Sequence, residues 1–156
     1  NWFLLAAEQG YAIAQFTLAG VYEKGEGISQ DYAEAVQWLT LAGEQGYADA
    51  QYKLGWMYYH GEGVPQDYPK AFKWYSLGAE QGDAKAQFSL GVMYDNGQGV
   101  TPDYKQAFKR HASVVEQLSE AWNKHELESI IEAKLLEKKR VAAGKHLNRI
   151  YHGHIK

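Results

Sequence analysis

The feature that most constrains this chain is an internal repeat with a period of 36 residues. Equivalent residues recur at that one spacing between residues 2 and 108, far more often than chance allows. Periods of about 20–50 residues are typical of repeat architectures, in which each unit stacks on the next. The recurring residues include Trp2, Trp38 and Trp74; Gln15, Gln51 and Gln87; Leu18, Leu54 and Leu90; Tyr22, Tyr58 and Tyr94; Gly27, Gly63 and Gly99; Asp31, Asp67 and Asp103; and Ala35, Ala71 and Ala107.

Each unit is predicted to contain two helices. In the second unit the first helix spans about 48–59, where Leu54 and Tyr58 lie four residues apart and share one face. A Gly-x-Gly-Val-Pro turn over 61–65 then ends that helix. Asp67 is a good N-cap for the second helix, and Gly82 follows its end, where a left-handed residue is favoured. No segment shows the sustained alternation typical of a strand.

A single helical hairpin of this kind cannot bury its own apolar stripe, whereas stacked hairpins bury each other's. The prediction is therefore an all-α solenoid. Gly55 would allow a neighbouring helix to approach, and Ala35, Ala71 and Ala107 would mark the closest crossings.

The pattern resembles the Sel1-like repeat, a relative of the tetratricopeptide repeat. The match is carried by residues 54–64, which read LGWMYYHGEGV, followed by Asp67, Ala71 and Trp74 and then by AEQG at 79–82. The first copy departs from it mildly, with Ala19 and Ile28. The resemblance covers about residues 2–108. It implies an αα-superhelix, a scaffold or adaptor role that is frequent in bacteria, and neither catalytic residues nor a cofactor.

The pattern stops in the third unit. Arg110 stands in the place of Trp74, and Leu118 stands in the place of Gly82, so the second helix loses its stop signal and is predicted to continue to about Trp122. We interpret 103–151 as helical and 125–143 as an amphipathic helix, with Leu127, Ile131 and Leu135 facing protein. The predicted organisation is a solenoid over 1–123, with a partial first repeat and units starting near 15, 51 and 87, and a helical cap over 124–156. The alternative is that the tail or an open repeat end mediates self-association.

Composition excludes some functions. The chain has no cysteine, so neither disulfides nor a thiolate metal site can form. Residues 1–123 carry eight Lys/Arg against fifteen Asp/Glu, a balance of −7, and residues 124–156 carry eight against four, a balance of +4. The basic run Lys138–Arg140 is interleaved with acidic residues, which favours a solvated face over nucleic-acid binding. His146, His152 and His154 lack an accompanying carboxylate cluster, so no metal site is predicted.

The sequence leaves the compartment open. No apolar run is long enough to span a membrane. The first residues read as the middle of a structural unit and carry no signal-like segment, so we expect the sequence to be a piece of a longer chain.

Candidate binding residues follow by analogy with tetratricopeptide units, whose first helices line a concave groove. Trp56 corresponds to Gly20 and Val92 in the other units, so the stack does not require it, and Tyr59 breaks the repeat in the same way. Both are predicted to be substantially exposed partner anchors, with Lys53 on a different face. The predicted partner-binding residues are Asp49, Tyr52, Trp56, Tyr59 and His60 in the second unit, Phe16 and Glu23 in the first, and Lys85, Phe88, Val92 and Asp95 in the third.

Phe16, Tyr52 and Phe88 are aromatic in every unit, so the core between repeats and partner binding are equal alternatives for them. The favoured function is a protein-interaction scaffold that holds a peptide or protein, because aromatic side chains dominate binding hot spots. The alternatives are a module for a non-protein ligand such as a cell-wall glycan, or a non-catalytic part of a larger enzyme.

Overall fold

The described part of the computed structural model, residues 2–119 and 130–142, consists of helices and short turns without a strand. The helices pair into units α2/α3, α4/α5 and α6/α7, each packed on its neighbours, and equivalent helices start 36 residues apart at Ala12, Ala48 and Ala84. The all-α repeat stack predicted from the sequence is thereby confirmed. The helices are α1 (Trp2–Glu8), α2 (Ala12–Lys24), α3 (Tyr32–Glu44), α4 (Ala48–His60), α5 (Tyr68–Glu80), α6 (Ala84–Asn96) and α7 (Tyr104–Leu118), and residues 130–142 are also helical.

Repeated polar and glycine residues set the helix ends. Asp67 caps α5 by accepting a hydrogen bond of 2.9 Å from the Lys70 backbone N–H, and Asp31 and Asp103 cap α3 and α7 in the same way. Gly61 ends α4 with φ at 75°, in the left-handed region that glycine adopts without steric cost. Gly63 has φ at 72°, and both glycines of this turn have positive φ in every unit.

A ladder of buried glutamines connects the units. The Gln51 side chain is 4% exposed and donates a hydrogen bond of 2.9 Å to the carbonyl of Gly43, near the end of the preceding helix. Its carbonyl accepts a bond of 2.6 Å from Gln81 Nε2. Gln15 and Gln87 make equivalent bonds in the other units. Buried amides need partners, so this ladder both satisfies helix-end carbonyls and fixes the offset between units.

Small residues set the spacing between helices. Ala35, Ala71 and Ala107 are at most 1% exposed, consistent with close crossings. A Cβ built on Gly55 would lie 2.5 Å from the ring of Tyr75, so glycine is required there because the tyrosine ring packs directly against the backbone of α4.

The third unit ends differently from the prediction. Helix α7 has 15 residues where α3 and α5 have 13, so the loss of the glycine stop does lengthen it. It nevertheless ends at Leu118, with Ser119 in a turn, short of the predicted end near Trp122. The rest of the extension to Trp122 lies outside the described residues.

The 130–142 helix covers the face of the third unit on which a fourth unit would stack. It confirms the described part of the helix predicted over 125–143, whereas Leu127 lies outside the described residues. Ile131 and Leu135 are half-buried and line a cavity of about 360 Å³ together with Phe88 and Val92. The boundary of a separate cap at residue 124 remains a prediction.

Candidate functional site

The predicted partner-binding residues lie on the first helices of the three units. We call the surface that they form on α2, α4 and α6 the first-helix strip. Asp49, His60 and Lys85 are exposed on it, and its aromatic residues have a range of burial. By helix, the strip consists of Phe16 and Glu23 on α2, Asp49, Tyr52, Trp56, Tyr59 and His60 on α4, and Lys85, Phe88, Val92 and Asp95 on α6.

The centre of the strip is a cluster of four rings around the C-terminal half of α4. The ring centroids of Trp56 and His60 are 4.5 Å apart, and those of Tyr59 and His60 are 5.0 Å apart. Tyr59 also packs against Tyr68 of α5 at 5.2 Å. These rings meet at interplanar angles between 41° and 65°, so the cluster is a faceted surface rather than a flat platform.

The prediction that Trp56 and Tyr59 are substantially exposed is wrong, because both are half-buried. Trp56 packs against the buried residues of two successive units and so contributes to the stack as well as to the surface. The Tyr59 hydroxyl donates a hydrogen bond of 2.8 Å to Gln98 in the loop after α6. Both side chains are long enough to contact the next unit. Alignment of the repeat sequences alone does not show these contacts.

The prediction that Lys53 lies on a different face is also wrong. Lys53 and Trp56 are three residues apart on α4, a spacing that makes side chains neighbours on a helix. The Lys53 ammonium lies 4.8 Å from the centroid of the Trp56 ring, in cation–π geometry. It also forms an ion pair of 2.6 Å with Glu23 of α2, which places both charges within the strip.

The three shared aromatic residues divide between the two alternatives. Phe16 packs against the core of the first junction and lies 5.2 Å from Tyr47. Tyr52 packs against the core of the second junction. Phe88, in contrast, is 53% exposed. Its position next to the 130–142 helix leaves one side of the ring open.

One register position distinguishes the units more than any other. It holds Gly20 in the first unit, Trp56 in the second and Val92 in the third. A Cβ built on Gly20 would meet nothing within 4 Å, and the space above it is an open pocket of about 420 Å³. We call this space the Gly20 pocket. Phe16 and Leu39 line it, with Glu23 and Lys53 at its edge.

Sequence reasoning identified Trp56 as an added side chain but overlooked the missing side chain in the first unit. It also overlooked Ile13, which is 67% exposed where the other units carry Asp49 and Lys85. Both signals are visible in the aligned repeats, as a glycine inside a helix and an apolar residue at a charged position.

The third-unit end of the strip is already occupied from within the chain. The Asp95 carboxylate is 9% exposed and pairs with Lys138 of the 130–142 helix at 2.5 Å. His111 of α7 lies 3.4 Å from the same carboxylate. The Asp95 end of α6 is therefore less accessible to a partner than the exposed Asp49 and His60 of α4.

Little in the described residues suggests other chemistry. No group of three or more His, Asp or Glu side chains within 2–119 and 130–142 is arranged to hold a metal ion, and the three C-terminal histidines lie outside those ranges. Across the same residues, no helix has the length and apolar character that crossing a membrane requires. Burial raises the pKa of Tyr75, which lies in the core and not on the strip.

Helical hairpins that each turn at a Gly-x-Gly motif and stack in fixed register define a helical repeat protein of the superhelical class. A family model of the Sel1 repeat matches residues 1–11, 12–47, 48–83 and 84–109, in phase with the observed units, and the chain belongs to this family. No curated protein matches the chain.

Solved structures agree with this assignment. The chain resembles c5321, a protective antigen of uropathogenic Escherichia coli with an SLR fold, at 46% identity and a TM-score of 0.73, over 74% of this chain and 25% of that one. It resembles a Sel1 repeat protein from Oxalobacter formigenes at 43% identity and a TM-score of 0.72, over 74% and 48%. Cysteine rich protein B of Helicobacter pylori matches at 25% identity and a TM-score of 0.57, over 74% and 82%. The chain thus spans about a quarter of the length of c5321 and about half of the length of the Oxalobacter formigenes protein.

Proteins built from Sel1 repeats generally serve as scaffolds for protein interactions and are generally not catalysts.

Proposed function

We propose that this chain is an interaction scaffold that binds a peptide or an extended protein segment along the α2 and α4 part of the first-helix strip. The observation that carries the proposal is the presence on these two helices of apolar side chains that the repeat pattern does not specify. The positions of Ile13 and Tyr59 are charged in the other units, and the position of Trp56 holds glycine or valine there. Clusters of aromatic side chains with polar edges are typical of protein-binding hot spots.

The geometry of the ring cluster favours a peptide over a glycan. A sugar ring is best stacked on a flat, neutral aromatic face, whereas the rings of Trp56, Tyr59 and His60 are inclined to one another. Charged groups are also interspersed with them, since Lys53 lies over Trp56 and Asp49 is exposed nearby. A peptide offers side chains of both kinds, together with backbone amides.

The test is selection of a displayed library of random dodecapeptides on the immobilised chain, followed by titration of the enriched peptide. We expect His60→Ala, at an exposed position that packs against Trp56, to leave the melting temperature unchanged and to weaken binding several-fold. Trp56→Ala should weaken it by tenfold or more, as loss of a hot-spot aromatic does. Lys73→Ala, on the exposed side of α5, is the matched control and should bind as the wild type does.

Two outcomes would overturn the proposal. One is failure to enrich any peptide while a chitin- or peptidoglycan-derived oligosaccharide binds, which would assign the strip to a glycan. The other is an enriched peptide whose affinity is insensitive to both His60→Ala and Trp56→Ala, which would place the binding surface elsewhere on the stack.

A further inference from the structure

We propose that the Gly20 pocket is a socket for one aromatic side chain of the bound segment. The inference rests on the proposed function and specifies the chemistry that its partner must present. Four features carry it: the shape of the pocket, its equivalence to a filled site in the next unit, its paired charges and the apolar residue beside it.

The pocket exists because one side chain is missing. Gly20 lies in the middle of α2 with ordinary helical geometry, where glycine weakens a helix, and no turn or close approach requires it. Its absent side chain opens the helix surface onto a pocket of about 420 Å³, of which Phe16 and Leu39 form apolar walls. An apolar cavity of about 150 Å³ already holds benzene. The space is therefore large enough for an indole.

The second unit shows which group fits such a space. Trp56 occupies the equivalent position there, and its side chain packs against two clusters of buried residues, the second of which contains Tyr75. Tyr75 is equivalent to Leu39, which lines the open pocket in the first unit. The repeat thus fills this register position with an aromatic ring from within the chain in one unit and leaves it empty in the unit before. An aromatic side chain from a partner completes the pattern.

The charges at the pocket edge favour an uncharged occupant. Glu23 is paired with Lys53 at 2.6 Å, and Lys24 is paired with Glu26 at 3.5 Å. Each of these charged side chains is paired with one of opposite charge. A carboxylate or an ammonium group on the occupant would therefore find no unpaired charge with which to form an ion pair. The Lys53 ammonium, which lines the pocket, already lies over the Trp56 ring.

The surface beside the pocket is apolar. Ile13 lies three residues before Phe16, on the same face of α2, and is 67% exposed. It extends the apolar walls of the Gly20 pocket by one turn toward the start of α2. A segment that places an aromatic residue in the pocket can therefore place a neighbouring apolar residue on Ile13.

The test transplants the side chains of the other units. Gly20→Trp introduces the residue of the second unit, and Gly20→Val that of the third. Both changes should preserve or raise the melting temperature, because the Cβ meets open space and glycine is unfavourable within a helix. We expect Gly20→Trp to weaken binding of the enriched peptide by tenfold or more, and we expect Gly20→Val to weaken that binding less. Replacing the aromatic residue of that peptide by Ala should weaken binding to the wild type and have little effect on binding to Gly20→Trp.

A second readout does not depend on the selected peptide. In amide NMR spectra of the wild type, millimolar N-acetyl-tryptophanamide should shift the Gly20 amide, whereas N-acetyl-lysinamide at the same concentration should not. In spectra of the Gly20→Trp variant, the amide resonance of Phe16, which lines the pocket, should not shift with either probe.

The possible outcomes separate this inference from the proposed function. If Gly20→Trp folds and binds the peptide as well as the wild type does, while Trp56→Ala does not, the socket is refuted and the scaffold stands. If no peptide is enriched at all, the proposed function fails first.

A second copy of the chain is the alternative occupant of the pocket, because Trp2 is 87% exposed. Concentration-dependent dimers in sedimentation velocity that both Gly20→Trp and Trp2→Ala abolish would assign the pocket to self-association and overturn the proposal.

Discussion

The two internal junctions of this stack are built differently from the junction between the third unit and the 130–142 helix. In the first two units the buried glutamine accepts a short bond from the residue that follows the second helix of its own unit, 2.7 Å at Gln15 and 2.6 Å at Gln51. The equivalent bond within the third unit, from Gln117 to Gln87, stretches to 3.3 Å. Gly78 of α5 also lies close to Ala86 of α6, since a Cβ built on it would be 3.2 Å from that side chain.

The third unit carries Val114 where the second has Gly78, and Val115 where it has Ala79. Branched side chains keep the covering helix at a distance, and the cavity beside Val92 is the result. The comparison teaches that the repeat pattern specifies the fold of each unit, while a few positions that vary decide how completely each junction is filled. Those same positions control which surfaces remain for a partner.

The largest contrast is expected between buried leucines at the two kinds of junction. Leu54 is 0% exposed, and Leu54→Ala should lower the free energy of unfolding by about 3 kcal/mol, since it leaves a cavity in a packed core. Leu135 is half-buried beside an existing cavity, so Leu135→Ala should cost about 1 kcal/mol. Urea denaturation of both variants measures the difference. Equal losses would mean that the final junction is packed as tightly as the others.

Equivalent turn glycines sharpen the comparison at the start of the stack. Gly63 and Gly27 both have positive φ, but a Cβ on Gly63 would lie 2.7 Å from the Tyr32 carbonyl oxygen, and one on Gly27 would meet nothing. Strain alone should make Gly27→Ala cost about 1 kcal/mol. The added backbone contact should raise the cost of Gly63→Ala to about 2–3 kcal/mol. If thermal unfolding ranks the two variants the other way, the packing of this loop on the preceding unit is not as described.

The glutamine ladder offers a third comparison. Gln51→Ala removes both the bond to the Gly43 carbonyl and the bond from Gln81 and should cost about 2 kcal/mol. Gln87 makes both of its bonds at 3.3 Å, and Gln87→Ala should cost about 1 kcal/mol. Chemical denaturation of the two variants, with the exposed Gln37→Ala as a control, distinguishes a ladder that weakens along the stack from one of uniform strength.

The smallest effect concerns the position that holds Tyr75 in the second unit and His111 in the third. Burial raises the pKa of Tyr75, so the folded chain keeps this proton at a pH where the unfolded chain loses it. Above a pH of about 10 the unfolded state therefore binds fewer protons, and stability falls as the pH rises. We expect Tyr75→Phe to change stability at pH 7 by less than about 1 kcal/mol and to reduce the loss between about pH 9 and pH 11. An unchanged alkaline profile would show that Tyr75 is not responsible.

The periodic residues predicted the fold well because each has a local physical role. The Asp67 cap, the Gly61 and Gly63 turn and the stripe around Leu54 all lie where their chemistry indicated. The end of α7 was harder to predict, because losing the glycine stop lengthens a helix without saying what ends it next.

The candidate site was predicted less well than the fold. The side chains of Trp56 and Lys53 depend on contacts with neighbouring units, so their burial and pairing could not be read from one aligned position. The Gly20 pocket is a property of two units together. Its only trace in the sequence is a glycine at a position where the next unit has tryptophan.

The most direct test of the proposed binding surface is a crystal structure of the chain with the enriched peptide. We expect an aromatic side chain of the peptide to lie above the Cα atom of Gly20, between Phe16 and Leu39, with the following residues running over Trp56 and His60. A peptide bound on the exposed side of α3 and α5, with the Gly20 pocket empty, would contradict both the site and the proposed mode of recognition.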